Sequence, residues 1–179
     1  LTMLQAYYDI EKKDSFHTTF KNTWIESHPT EGLGKYQVLY FDFSRAAAGP
    51  GTLEENFNLY CNSVLDGFIK KYAAYYDEDF NMEEYLGFSG ASYKLNALNI
   101  YSKRKGTQLY LIIDEYDNFT NNILSEEGEA VYHALTHAQG FYRDFFKLFK
   151  GMFQRIMMMG VSPVTVNDLN SGYNIGTNL

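Results

Sequence analysis

The feature that most limits the possible folds is a short apolar run that ends in two acids. The run LYLII covers residues 109–113 and is followed directly by Asp114 and Glu115. A continuous apolar run between polar segments is typical of a strand that is buried on both faces. Such strands occur in parallel sheets that are covered by helices on both sides, so this segment favours an α/β fold.

Two further apolar, β-favouring runs predict strands over residues 36–43 and 153–159. Long helical patterns lie between the three runs. One helix begins at the capping-box sequence Thr52-Leu53-Glu54-Glu55, and a second covers Ala91–Lys105 and stops before Gly106. A third is expected from Glu126 or Glu127 to about Lys150. The alternation predicts parallel strands joined by right-handed helical crossovers, in a three-layer α/β core.

The remaining segments complete one expected domain over residues 1–179. Leu1–Lys13 is predicted to be a helix that starts without a capping residue. Residues 14–35 are polar and irregular, and the tail from Val161 is expected to be mostly loop.

Composition excludes several classes of protein. The net charge of −7 argues against general electrostatic binding of nucleic acid. The single cysteine, Cys61, rules out an intramolecular disulfide or a cysteine-rich zinc site. No apolar run approaches the roughly 20 residues that span a bilayer, and no signal peptide is visible. We therefore expect a cytoplasmic protein without a membrane segment.

An apolar strand that ends in two acids is the Walker B pattern of ATPases. Ligands of open α/β sheets bind at the carboxyl ends of the strands, where such acids face the site. In this reading Asp114 holds magnesium and Glu115 orients and deprotonates the attacking water. The plainer alternative is that the acids only cap the turn that follows the strand.

Two segments carry a family resemblance: LYLIIDEYDNFTNNILS, from residue 109, and GVSPVTVNDLNSGYNIGTNL, from residue 160. They resemble the AAA-ATPase-like family of P-loop NTPases, and the resemblance covers essentially the whole chain. It implies ATP as ligand, Mg²⁺ as cofactor, and the roles above for Asp114 and Glu115. It also implies a polar residue that senses the γ-phosphate, for which Ser162 is the first candidate and Thr165 the second. Serine before Pro163 is also a common turn element.

The chain departs from that family in one large respect, because no GxxxxGK[ST] phosphate-binding loop is present. Gly32-Leu33-Gly34-Lys35 lacks the preceding strand, the spacing and the hydroxyl residue. In the family this loop directly precedes a helix like the first one here, so we expect a fragment truncated at its N-terminal side. In this family the strands of the sheet lie side by side in the order 5-1-4-3-2. The three strands of this chain would be the neighbouring strands 4, 3 and 2. The edge formed by residues 153–159 would then lack its partner strand, and the chain should bind ATP poorly and self-associate.

Other polar residues have two alternative interpretations. Asp42 and Asp117 are either close to the magnesium site or simple turn acids. His133 and His137 have a ligand-compatible spacing, but surface histidines are the better interpretation. Arg143 and Arg155 are weak candidates for an arginine finger.

Two functions remain open. The first is ATP binding and hydrolysis, favoured by the Asp114-Glu115 pair. The second is a nucleotide-independent interaction or scaffold module with a degenerate P-loop fold, favoured by the missing loop if the chain is complete. Self-association or other protein subunits are possible partners in either case.

Overall fold

A three-stranded parallel sheet forms the centre of the protein. The computed structural model describes residues 1–47, 49, 51–136 and 140–161. The strands are β1 (Gln37–Asp42), β2 (Leu109–Asp114) and β3 (Arg155–Met158), in the order β1-β2-β3. Both pairings are parallel. The three strands predicted from the sequence and their order as neighbours are therefore confirmed, although β3 is shorter than expected.

Helices fill most of the connections between and around the strands. They are α1 (Thr2–Tyr8), α2 (Phe16–Thr19), α3 (Trp24–Ser27), α4 (Leu53–Lys71), α5 (Met82–Gly87), α6 (Ala91–Lys105), α7 (Asn118–Glu126), α8 (Glu129–Thr136) and α9 (Phe141–Lys147). Short 3₁₀ helices cover Ile10–Ser15, Phe43–Arg45 and Ala73–Tyr75. The fold is a mixed α/β architecture. Within the described ranges no helix combines the length and apolar character needed to cross a membrane.

The two faces of the sheet belong to two apolar clusters. Side chains alternate along a strand, so Leu39, Leu111 and Ile113 share one face and pack in the large core with residues of α4, α6 and α9. Val38 and Ile112 lie on the opposite face, where the partly buried side chains of Leu1, Leu4 and Tyr8 cover them. Helix α1 thus covers one face of the sheet, and α4, α6 and α9 cover the other face.

Local signals fix the ends of the two longest helices. The Thr52 hydroxyl accepts a hydrogen bond from the Glu55 N–H at 3.3 Å, and the Glu55 carboxylate accepts one from the Thr52 N–H at 2.8 Å. These bonds satisfy amide groups that the first helical turn leaves without partners. Gly106 ends α6 in the left-handed conformation with a φ of 70°. Both predicted helix ends are therefore confirmed.

The expected N-terminal helix from Leu1 to Lys13 is wrong in its length. The helix α1 ends at Tyr8, and Asp9 is extended and forms a parallel bridge with Tyr36. The Asp9 carboxylate is buried and binds the ammonium group of Lys71 and, at 2.8 Å, the hydroxyl of Tyr72. A helical continuation would remove Asp9 from these partners, and a buried carboxylate without partners is costly.

The single helix expected from Glu126 or Glu127 to about Lys150 is also wrong. Helix α7 begins earlier, at Asn118, and buries Phe119 and Ile123, which are one helical turn apart. Gly128 has a φ of 89°, a left-handed conformation that interrupts the helix before α8. The segment therefore contains the separate helices α7, α8 and α9.

The two edges of the sheet differ in how their backbone groups are satisfied. On the outer edge of β1, the N–H groups of Val38 and Asp42 donate to the hydroxyls of Tyr72 at 2.9 Å and Tyr60 at 2.7 Å. Both tyrosines come from the segment of α4 and its C-cap. Within the described residues, β3 pairs with β2 alone, and Met159 directly after it is 43% exposed. The edge at β3 is therefore open to pairing with another chain.

We predict that the 179-residue chain self-associates through this edge and that Met159→Lys weakens the association. A lysine on a sheet edge opposes pairing because its charge would lose water in the interface. The concentration for half-association should rise about tenfold, which corresponds to about 1.4 kcal/mol. Sedimentation velocity over a concentration series measures this. Leu59→Lys, at a 72% exposed position of α4, is the matched control and should have no effect. A wild-type chain that stays monomeric at high concentration contradicts the prediction.

Candidate functional site

The carboxyl ends of β1 and β2 place two acids side by side. Asp42 is the last residue of β1, Asp114 is the last residue of β2, and the two are register partners. Both are half-buried. The apolar residues before Asp114 are buried, so the first carboxylate of this segment emerges where the central strand ends. The structure thus brings two of the predicted site residues together at the sheet edge where open α/β folds bind ligands.

Each carboxylate oxygen of Asp114 has a hydrogen-bond donor. Oδ1 accepts from the backbone N–H of Glu115 at 3.1 Å, and Oδ2 accepts from the hydroxyl of Tyr40 at 3.3 Å. An ionised carboxylate has about four acceptor positions, so these two bonds leave capacity for a further ligand.

Burial, followed by the charges of Asp114 and Asp42, raises the pKa of Tyr40 to about 12. Burial likewise raises the pKa of Tyr60 to about 12. Both hydroxyls are therefore protonated near neutral pH, and Tyr40 acts as a donor toward Asp114. The positive charge of Arg45, which follows β1, partly offsets the pKa shift of both tyrosines and so lies near this edge.

Glu115 has an unusual backbone conformation. Its φ is 53°, in the left-handed region that non-glycine residues rarely adopt, at a cost of about 1–3 kcal/mol. Asn22 is the other non-glycine residue with a positive φ in the described chain. The Glu115 carbonyl accepts the N–H of Asn118 at 2.9 Å and so joins the end of β2 to the start of α7. This sharp turn holds the second acid directly beside the first.

Asp42 also stabilises the turn after its strand. Its Oδ1 accepts from the Ser44 hydroxyl at 2.6 Å and from the Ser44 N–H at 3.2 Å. This is the behaviour of a turn acid, and among the described residues these bonds involve Oδ1.

Asp117 is fully buried and ties the end of β3 to the end of β2. Its carboxylate accepts the Val161 N–H at 3.1 Å and the side-chain amide of Asn121 at 3.2 Å. The backbone of the preceding residue, Tyr116, adds a second connection, because its N–H donates to the Met159 carbonyl at 3.1 Å. Asp117 therefore has a structural role in bringing the two strand exits together.

A model of the family described as "Predicted AAA-ATPase" matches residues 1–170. The chain belongs to the AAA-ATPase-like family. This confirms the resemblance carried by the segments around Asp114 and Gly160. No curated protein and no solved structure matches the chain.

Several predicted residues of this AAA-ATPase-like chain lie away from the carboxyl edge or outside the described residues. Ser162 and Thr165, the sensor candidates, lie outside the described residues, as does His137. Arg155 stands opposite Tyr110 near the start of β2, at the amino edge of the sheet, and its Nε donates to the Tyr36 hydroxyl at 3.0 Å. Arg155 is therefore far along the strands from Asp114, whereas Arg143 lies on α9.

The described histidines behave as surface residues. His17, His28 and His133 are all exposed. His133 contacts the Glu129 carboxylate at 3.3 Å, one helical turn away. Within the described residues, no group of three or more histidine, cysteine or acidic side chains is placed to hold a metal ion.

A cleft of about 260 Å³ lies elsewhere, between α6 and the segment that includes α5. Its lining includes Phe80, Tyr85, Tyr101 and Arg104, and none of the acids at the carboxyl edge. The cleft and the candidate site of this AAA-ATPase-like chain are therefore separate features.

Sequence reasoning missed the tyrosines and the arginine at the site. Tyr40 and Asp42 are two residues apart, so they share a strand face, and this was visible in the sequence. The contact of Tyr40 with Asp114 also depends on the register between β1 and β2, which the sequence does not specify. The positions of Tyr60 and Arg45 at the site depend on the paths of α4 and of the turn after β1.

We predict that Gly160→Ala destabilises the fold. A methyl group at residue 160 would lie 2.7 Å from Cε1 of Tyr116 and would press on Oδ1 of Asp117. Overpacking of this kind costs about 1–3 kcal/mol. Urea unfolding measures the loss. Gly67→Ala in α4 is the control, because nothing lies within 4 Å of an added methyl group there. It should stabilise the protein by up to about 1 kcal/mol through helix propensity. Equal stability of Gly160→Ala and the wild type contradicts the close packing around Asp117.

Proposed function

We propose that this chain forms the Walker B part of an ATP-hydrolysing enzyme. The observation that carries the proposal is the position of Asp114 and Glu115, at the end of the central strand and beside Asp42, in a member of the AAA-ATPase-like family. Asp114 would bind magnesium and Glu115 would act on the attacking water, as the resemblance implies.

The residues at the carboxyl edge fit magnesium bound together with a nucleotide. Mg²⁺ prefers oxygen ligands, keeps several waters and is usually bound by one or two carboxylates plus phosphate oxygens. The half-buried carboxylates of Asp42 and Asp114 are oxygen donors of this kind. When bound there, the ion would neutralise charge on the phosphates. In this proposal Asp114 would hold the ion, directly or through its water shell, and Asp42 would contribute charge from the neighbouring strand.

The direction of α1 supports a P-loop arrangement. Its last residue, Tyr8, packs against Tyr36 and Tyr110 near the amino edge, with ring centroids 5.9 and 4.9 Å apart. Leu4 and Leu1 continue along the same face of the sheet. Seven helical residues rise about 10 Å, so the helix starts toward the edge that holds Asp114. This is the orientation of a helix that follows a phosphate-binding loop.

The face on which α1 packs supports the same arrangement. The helices between β1 and β2 and between β2 and β3 pack on the opposite face, as right-handed crossovers in one direction require. A right-handed connection through α1 would run in the reverse direction across the sheet. If a strand precedes α1 in the full-length gene product, it would therefore lie beside β3, as in the order 5-1-4-3-2.

Hydrolysis would use the carboxylates of two adjacent residues of this chain, Asp114 and Glu115. Asp114, which accepts hydrogen bonds from Tyr40 and the Glu115 N–H, would hold the magnesium ion that accompanies the nucleotide. Glu115 would accept a proton from the water as its oxygen bonds to the terminal phosphorus, while the bond from that phosphorus to the bridging oxygen breaks and ADP leaves. Ser162, or Thr165 after it, is proposed to contact that phosphate. Most of the rate acceleration in such reactions comes from positioning and charge stabilisation.

We predict that Glu115→Gln in the full-length gene product retains ATP and loses turnover. An amide cannot accept the water proton, and general-base contributions are about 100-fold or more. Phosphate release measures hydrolysis, and a fluorescent ATP analogue measures binding. Glu127→Gln, an exposed position at the end of α7, should behave as wild type. Unchanged turnover in Glu115→Gln removes Glu115 from the mechanism.

We predict that Asp114→Ala weakens nucleotide binding only when magnesium is present. Loss of a group that holds the metal typically costs about tenfold or more in affinity. ATP-analogue affinity is compared with Mg²⁺ and with EDTA. The surface variant Asp144→Ala, on α9, is the control. An equal loss of affinity in both conditions assigns Asp114 a role in folding instead of metal binding.

A full-length gene product that neither binds nor hydrolyses ATP would favour the second function, a nucleotide-independent interaction or scaffold module.

A further inference from the structure

The hydroxyl of Tyr40 is placed to control the orientation of Asp114. It donates to Oδ2 at 3.3 Å across the β1–β2 boundary, while the Glu115 N–H occupies Oδ1. We infer that Tyr40 is a positioning residue for the site: it holds the Asp114 carboxylate in the orientation that meets a nucleotide-bound Mg²⁺. This inference rests on the proposed ATPase function.

An aspartate needs such a restraint because its last side-chain torsion is soft. The rotation of a carboxylate about its final bond has broad, two-fold preferences. One donor on Oδ1 leaves the plane of the group free to turn. A second donor on Oδ2 from another strand fixes the plane. Within the part of the chain that the structure describes, each oxygen accepts one hydrogen bond, which leaves each of them capacity for a further ligand.

Tyr40 itself stands on a rigid support. The residues two positions before and after it, Val38 and Asp42, donate their N–H groups to the hydroxyls of Tyr72 and Tyr60. The ring of Tyr40 is partly buried against the apolar cluster that contains Val38 and Ile112. The strand cannot shift along its axis without breaking these bonds and the register with β2. The hydroxyl is therefore presented to Asp114 from a fixed backbone.

If Tyr40 had only a structural role, its aromatic ring would be sufficient for the function of the site. The positioning role requires its hydroxyl group. Tyr40→Phe separates the two, because it keeps the ring and removes the donor. Tyr110→Phe is the matched control: Tyr110 lies on the same face of the neighbouring strand but near the amino edge, where its ring packs beside Tyr8 and Tyr36.

The experiment uses the full-length gene product with a non-hydrolysable ATP analogue. Metal affinity is measured by Mn²⁺ titration with electron paramagnetic resonance, and the Mg²⁺ concentration for half-maximal ATP hydrolysis is measured in parallel. Tyr40→Phe should weaken metal affinity and raise that Mg²⁺ concentration by about tenfold, as loss of a partner that orients a metal ligand does. Nucleotide affinity without metal should stay unchanged, and Tyr110→Phe should match the wild type in every measurement.

Two results would overturn the inference. The first is an unchanged metal affinity in Tyr40→Phe. The second is an equal loss in Tyr40→Phe and Tyr110→Phe together with equally lowered melting temperatures, which would reflect general weakening of the sheet. Failure of the ATPase proposal itself is recognised separately, because the wild-type protein would then show no metal-dependent nucleotide binding before any variant is compared.

Discussion

The complete burial of β2 is the constraint on which the rest of the structure depends. Its backbone pairs with β1 on one side and β3 on the other, and its side chains from Leu109 to Ile113 are buried on both faces. An unpaired charge inside such a strand would cost several kcal/mol, so charged groups are confined to its ends. Along β2, Asp114 is the first residue that is not fully buried, and it carries the first carboxylate. The location of the candidate site is thus a consequence of how the core is built.

The tyrosines connect this core to the polar edge. Tyr60 and Tyr72 close the outer edge of β1 with their hydroxyls, and Tyr142 donates to the Tyr116 carbonyl at 2.6 Å. Each ring adds buried apolar area, and each hydroxyl satisfies a backbone group that water cannot reach. These roles give a physical reason for the chain's sixteen tyrosines. The bonds of Tyr60 and Tyr72 also fix β1 against the α4 segment, and the register of β1 with β2 brings Tyr40 to Asp114.

The turn after β2 concentrates several constraints in few residues. Glu115 is left-handed, Asp117 is buried, and Gly160 leaves no room for a side chain beside them. Together they hold the exits of β2 and β3 in contact. Strain and tight packing at one end of a sheet are tolerated when the surrounding structure determines the conformation, and they often mark functional sites. Here they occur next to Asp114 and Glu115, the two acids that we propose act in ATP hydrolysis.

The sequence by itself determined the strands, their parallel arrangement, the capped ends of α4 and α6, and the acids at the end of β2. Apolar runs and caps act over a few residues, so these features are readable locally. The tertiary structure decided where α1 stops, because Asp9 is needed by Lys71 and Tyr72, and it divided the segment after residue 118 into α7, α8 and α9. It also set the contact between Tyr40 and Asp114 and the structural role of Asp117. These depend on the register and proximity of segments far apart in the chain, which no local pattern records.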